Sequence, residues 1–275
     1  MFRYLKLLSK PITFISFFFR ACSLKLIINK FDKKNPFEGP LGDNGICYLE
    51  LSADQLKFLK NKFKINNVDQ IIKLDKDYKS FLEYFFGKIK PIINEYFGNN
   101  VYIDGINWMF NEPNKKSISS SWHTDNVGNR VKCYVCIEGD GSQPTLVIPS
   151  KDRIPNFFSW LKHTFIESFR WLGIKINFDI KNSIKCNHKD GSIYLFDTQL
   201  FHRGSYETGN SRRIIFHLEF SNNDKHRFIN GPIGTKKNNS FLFDKSLLNL
   251  SSFSSMIDPK RVFEEGHNYY RYSEK

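Results

Sequence analysis

From residue 101 onward the chain takes on the period of strands. Residues 101–110 (VYIDGINWMF), 131–137, 145–148, 192–196 and 213–220 are short runs rich in β-branched and aromatic residues, separated by turn residues. Short strands broken in this way specify an all-β sandwich or barrel. The helical period sits mainly ahead of them. Residues 45–50 read as one strand. Ser52 then stands as an N-cap with Gln55 three residues on, the spacing of a capping box. In 78–97 the positions Tyr78, Phe81, Leu82, Tyr84, Phe85, Ile89 and Ile92 follow a helical period, with Pro91 expected to kink it.

One segment interrupts the strands. In 155–172 (PNFFSWLKHTFIESFRWL) Phe158, Leu161, Phe165, Phe169 and Leu172 recur at helical spacing, Asn156 suits the N-cap and Gly173 the end. This helical insertion is read either as packing on the sheet or as a lid over substrate. Trp160 and Trp171 fall off its apolar stripe and are the aromatics a lid would offer to substrate. Residues 32–44 (DKKNPFEGPLGDN) read as a linker. Residues 2–31 are apolar and basic, but their most hydrophobic stretch, 11–19, is well short of the ~20 residues of a spanning helix. Residues 20–23 (RACS) make a poor signal-peptide cleavage site. Two readings of the segment stand: a helix packed on the domain, or an interfacial anchor with basic residues at the headgroups and phenylalanines below. The expected organisation is an N-terminal basic and apolar helical segment with its linker over 1–44, one β-rich domain over 45–250 carrying the insertion, and a tail over 251–275.

With 275 residues the chain can bury one sizeable core, and 40% apolar with 25% charged residues argues against disorder. The net charge of +13 would draw an anionic partner, yet the lysines are scattered in the manner of a solvated surface. Nucleic-acid-binding signatures are missing, so the expected partner is a small molecule, apolar or anionic, rather than nucleic acid. Five cysteines without regular spacing suggest no disulfide framework. Cys133 and Cys136 match C-x-x-C, but they lie in a strand-like run where residues three apart face opposite ways. Reduced thiols fit a cytoplasmic location, with peripheral membrane contact through 1–31 as the alternative.

The chemistry concentrates at WHTD, residues 122–125. On a strand, residues i and i+2 project from one face, so His123 and Asp125 can present an imidazole nitrogen and a carboxylate oxygen to one ion. A third ligand must come from elsewhere, and His202, at the end of GSIYLFDTQLFH, fits. Two histidines and one carboxylate on one face of an octahedron leave three positions open, the facial triad of non-haem iron(II) oxygenases. Such a site takes a bidentate 2-oxo acid and O2. The far carboxylate of 2-oxoglutarate then needs a basic partner, preferably the planar fork of an arginine. Arg212 and Arg213 stand ten and eleven residues after His202. Arg212 shares strand parity with Ile214, Phe216, Leu218 and Phe220, a wholly apolar face suited to packing on helices. Arg213 shares parity with Ile215, His217 and Glu219, a mixed face suited to a polar site. Arg213 is therefore favoured and Arg212 held in reserve. Tyr134 and Thr145 are candidates for hydroxyl contacts to the cosubstrate, and Asn107 for a place in the substrate site. His163, His188, His217, His226 and His267 are expected at the surface or in packing, with His217 set by parity on the face of Arg213.

These residues together resemble the phytanoyl-CoA dioxygenase family of iron(II)/2-oxoglutarate oxygenases. The resemblance runs through 45–221: GICYL followed by SADQL, WHTD, QPTLVIP at 143–149, DGSIYLFD at 190–197, HRG at 202–204, and the Arg212–Arg213 pair, in the family's order and spacing. It implies a mainly β fold with flanking helices, a double-stranded β-helix of jelly-roll, cupin-like type. It also implies iron(II) held by His123, Asp125 and His202, and 2-oxoglutarate held by Arg213. The implied reaction is hydroxylation of a C–H bond in a small or lipid-like substrate, using O2 and releasing succinate and CO2. Asp125 in the ligand position implies hydroxylation rather than halogenation. Two departures stand out. Where the family has Gly-Ser-His after the Val-Ile-Pro turn, this chain has Ser150, Lys151 and Asp152, and the aromatic insertion follows. Both lie where family members shape substrate access, so specificity for a CoA ester is not implied. The rival readings are a jelly-roll that binds a ligand without turnover and a peripheral membrane protein with a vestigial core.

Overall fold

The computed structural model of the chain describes residues 39–62, 72–98, 101–113, 122–123, 130–149, 183–198, 200–204, 210–221, 241–243 and 256. The insertion 155–172 with Trp160 and Trp171, the segment 1–31, and Asp125 lie outside the described residues.

Two antiparallel sheets flanked by helices form a double-stranded β-helix. The larger sheet is built from β1 (Ile46–Glu50), β3 (Tyr102–Asn111), β4 (Arg130–Glu138), β7 (Ser192–Asp197) and β9 (Arg213–Ser221), in the order β1-β7-β4-β9-β3. The smaller sheet joins β5 (Thr145–Val147), β6 (Ile184–Cys186) and β8 (His202–Gly204), in the order β6-β5-β8. A separate parallel pair joins β2 (Ile72–Leu74) to β10 (Phe241–Phe243). Helices α1 (Gly39–Gly42), α2 (Ala53–Lys62) and α3 (Lys79–Phe97) precede the main strands, apart from β1 and β2.

The capping box at the start of α2 forms as its spacing predicts. The Ser52 amide donates to the Gln55 side-chain oxygen and the Gln55 amide donates to the Ser52 hydroxyl, each at 3.4 Å. Helix α3 continues as one helix through the exposed Pro91. Its buried stripe is Phe81, Leu82, Phe85, Phe86, Ile89, Ile93, Tyr96 and Phe97. Tyr84, expected in that stripe, is exposed instead, with the Lys88 ammonium 4.6 Å from its ring centre one turn on. Gly98 ends the helix at φ 79°, a conformation that favours glycine. Within 32–44, read as linker, residues 39–42 form a helical turn that buries Leu41 completely.

Strand parity divides the core. On the outer face of the larger sheet Val131, Cys133, Val135, Ile193, Leu195, Ile214, Phe216, Leu218 and Phe220 join the buried stripe of α3 in one cluster. The rings of Phe81 and Phe85 lie 6.5 and 6.2 Å from that of Phe216. Met256 also enters this core, and its carbonyl accepts a 2.8 Å bond from the Ile103 amide. The inner face supplies a second, smaller cluster with the other sheet: Tyr134, Phe196 and Ile215 meet Val147, Cys186 and Leu200. Cys47, Cys133, Cys136 and Cys186 are all free thiols in the interior, and burial pushes that of Cys136 up to about 12. Among the described residues, no helix is long and apolar enough to cross a membrane.

Candidate metal centre and anion pocket

His123 and His202 face each other across one antiparallel bridge. The His123 amide donates to the His202 carbonyl at 3.0 Å, and the reverse bond is 2.9 Å. Residues directly opposite in such a bridge project to the same face, and the two buried rings lie with centroids 4.3 Å apart and planes tilted by 53°. The Leu200 carbonyl accepts from His202 Nδ1 at 2.9 Å. That bond keeps the proton on Nδ1 and directs the ring's lone pair through Nε2, the arrangement expected of a metal-binding histidine. The ring of Phe196 closes one side of His202 at 5.1 Å. Among the described residues no cluster of three His, Cys, Asp or Glu side chains is assembled. The pair nevertheless fits a divalent transition metal: two imidazoles, adjacent and buried, with the tautomer of His202 set for coordination.

The inner face of the larger sheet holds a second group of polar residues. Arg213 begins β9 on that face, and it is buried, at 7% exposure. Its Nη1 donates to the backbone carbonyl of Gln143, just ahead of β5. Among the described residues no carboxylate pairs with it. Burial pulls its pKa down from the usual arginine value, without approaching neutrality at ordinary pH. Arg212, one residue earlier, makes a bidentate pair with Glu138 (Nε to Oε1 2.9 Å, Nη2 to Oε2 2.6 Å) and is 39% exposed.

His188 completes this group, although its surroundings in the sequence mark it only as a surface or packing residue. It is 1% exposed, and its Nε2 shares a 2.8 Å hydrogen bond with Thr145 Oγ1. Tyr134 and Tyr194 flank the ring at 5.7 and 5.8 Å. Burial first, and then the charge of Arg213, push its pKa well below the usual histidine value, so the ring is neutral. A backbone clamp holds it there. Gly141 N donates to the His188 carbonyl at 3.1 Å, Asp190 N donates to the Gly139 carbonyl at 3.0 Å, and Gly139 N donates to Asp190 Oδ1 at 2.8 Å. A Cβ on Gly139 would stand 2.4 Å from the His188 carbonyl oxygen, so only glycine allows this approach. The signal in the sequence was faint: a Gly-Asp-Gly turn and a Lys-Asp-Gly turn that face each other only in the folded chain.

The remaining predicted residues fall as follows. Tyr134 is buried on the inner face, between His188 and His217, with the latter ring 5.0 Å away. Thr145 reaches His188. Asn107 lies in register with His217, in the strand next to it. His217 is buried, with Nε2 3.5 Å from Glu219. Strand β5 links the two groups. Val147 pairs with His202, while Thr145, two residues earlier on the same face, pairs with Gly204 and touches His188. Along β5, Thr145 with its partner His188 is thus offset from the His202 pairing by two residues of strand, about 7 Å.

No protein-family model matches the chain, and none of the curated proteins matches it. Solved structures similar to it include EvdMO1, at 15% identity and a TM-score of 0.44, with 66% of this chain covered. The chain spans 48% of the length of EvdMO1. A second is EvdO2 from Micromonospora carbonacea var. aurantiaca complexed with 2-oxoglutarate, at 12% identity and a TM-score of 0.45, covering 66% of this chain and 87% of that one. A third is HygX from Streptomyces hygroscopicus with iron bound, at 7% identity and a TM-score of 0.49, covering 67% and 85%.

Proposed function

We propose that the chain is an iron(II)/2-oxoglutarate-dependent oxygenase that hydroxylates a C–H bond of a small organic substrate. The observation that carries this reading is a buried arginine on the inner face, bonded to the Gln143 carbonyl just ahead of the strand that pairs with His202, with no carboxylate of the described protein to balance it. A buried cation needs an anion, and a short dicarboxylate whose other end reaches the metal would supply it. His123 and His202 would hold the iron, with Asp125 as the carboxylate ligand. The metal, when bound, supplies the activation of O2 and the oxidation of the cosubstrate to succinate and CO2.

The chain's own groups do the rest. Arg213 offers a charge-assisted fork to the far carboxylate and fixes its direction. The Leu200 carbonyl holds the proton on His202 Nδ1 and keeps Nε2 turned to the metal. Phe196, Ile215 and Val147 keep water from the space between the sheets. Trp160, Trp171 and Asn107 are proposed as candidate substrate contacts.

Anaerobic addition of iron(II) and 2-oxoglutarate should produce the visible charge-transfer absorbance of a chelated 2-oxo acid, and exposure to O2 should release succinate. His123→Ala and Asp125→Ala should abolish both signals. A wild-type protein giving neither signal, or variants retaining both, would overturn the reading and favour a jelly-roll that binds a ligand without turnover.

A further inference from the structure

Three buried nitrogen atoms around one cation lack hydrogen-bond partners among the described residues: Arg213 Nε, Gln143 Nε2 and His188 Nδ1. A buried polar group without a partner is costly, and native interiors hold few of them. Here three belong to side chains already tied to one another or sharing one field. Arg213 bonds to Gln143, and its charge acts on His188. Asn111 Nδ2 lies 3.5 Å from Gln143 Oε1, which turns the Gln143 amino group the other way. The Thr145 hydroxyl meets His188 at Nε2, which leaves Nδ1 as the second position of the ring. When that hydroxyl donates, the ring's single proton sits on Nδ1, and all three orphaned atoms are donors.

We propose that His188 is a binding residue of the anion pocket, donating from Nδ1 to the same carboxylate that Arg213 holds, with Thr145 fixing its tautomer and Gln143 donating alongside. The inference rests on the reading of Arg213 as the dicarboxylate anchor and adds a neutral donor to it. Neutrality matters here. A second cation beside Arg213 would repel it, whereas a neutral N–H adds a directed bond without adding charge. The pocket then distinguishes 2-oxo acids that carry a far carboxylate from those that do not.

The test uses the full chain loaded with iron(II) under anaerobic conditions, with binding followed by calorimetry. The probes are 2-oxoglutarate and pyruvate, a 2-oxo acid with no far carboxylate. His188→Leu should weaken 2-oxoglutarate by roughly tenfold or more and leave pyruvate unchanged. His188→Asn, whose amide nitrogen falls near the place of Nδ1, should return to within about threefold of wild type. His188→Gln, whose amide falls near Nε2, should bind as weakly as the leucine variant. The Asn and Gln pair decides the matter even if His188→Leu fails to fold. Wild-type affinity in the leucine variant, or Asn no better than Gln, overturns the role of His188 while leaving Arg213 in place. A wild type that binds no 2-oxoglutarate, or Arg213→Met binding it normally, overturns the pocket itself.

Discussion

The two faces of β9 solve opposite problems with alternate residues of one strand. Ile214, Phe216, Leu218 and Phe220 face the helices and are almost completely enclosed in a mainly apolar cluster. Arg213, Ile215 and His217 face the smaller sheet, where burial is nearly as deep but polar groups are gathered around a cation. The outer face gains stability from apolar area and close contact. The inner face gives some of that up, keeping buried charge and unsatisfied donors where a ligand would satisfy them. Depth of burial alone does not tell a core from a site; what separates them is whether the buried groups answer one another.

The sharpest way to break this division is Phe216→Ala. Cavity formation beneath Phe81 and Phe85 should cost about 3–5 kcal/mol in urea unfolding, while the folded fraction binds 2-oxoglutarate with wild-type affinity. A loss below about 1 kcal/mol would show that the outer face is not where stability resides. Arg213→Met is the converse. It should weaken 2-oxoglutarate by about 2 kcal/mol or more and leave the unfolding midpoint no lower, because a buried cation is replaced by an apolar chain of similar length. A variant that unfolds early yet binds normally would make Arg213 structural.

This alternation along β9 was legible in the sequence, because a two-residue period needs no knowledge of partners. The same holds for Ser52 and Gln55, whose signal is local. His188 was not legible. Strands β6 and β8 have three residues each, too few to establish a period, and the clamp that buries His188 brings 139–141 against 188–190 across about fifty residues of chain. Leu41 was hidden likewise in a segment whose prolines and glycines read as linker. Of the candidate site, His202, Arg213, Tyr134 and Thr145 were nameable from pattern and resemblance, but that Thr145 serves His188 required the fold.

A smaller effect sharpens the comparison through pH. His188 is neutral in the fold, with its pKa depressed well below the usual value, while the unfolded chain protonates it near pH 6.5. Below that pH the unfolded state binds the additional proton. The contribution of His188 is therefore fully present above about pH 6.5 and declines as pH falls, by up to about 1.4 kcal/mol per unit. In urea titrations from pH 7 to pH 5, His188→Asn should lose stability less steeply than wild type, and parallel curves would mean a protonated ring in the fold. Smallest of all is Arg212→Ala. Its half-exposed pair with Glu138 is worth about 0.2–1 kcal/mol, and calorimetry should find 2-oxoglutarate binding unchanged. If Arg212→Ala crippled binding instead, the two faces would have to be exchanged.

The bridge between His123 and His202 has a consequence for the order of events. Because the side-chain period of a strand is two, sliding the His123 segment by one residue along β8 would turn its imidazole to the opposite face. On the proposed reading, a cation held by both rings would oppose that slide and act as a register pin for a pairing that, among the described residues, has two backbone hydrogen bonds of its own. Metal loading and the pairing of His123 with β8 would then be one event, and a chain that pairs there out of register would also lose its grip on the ion.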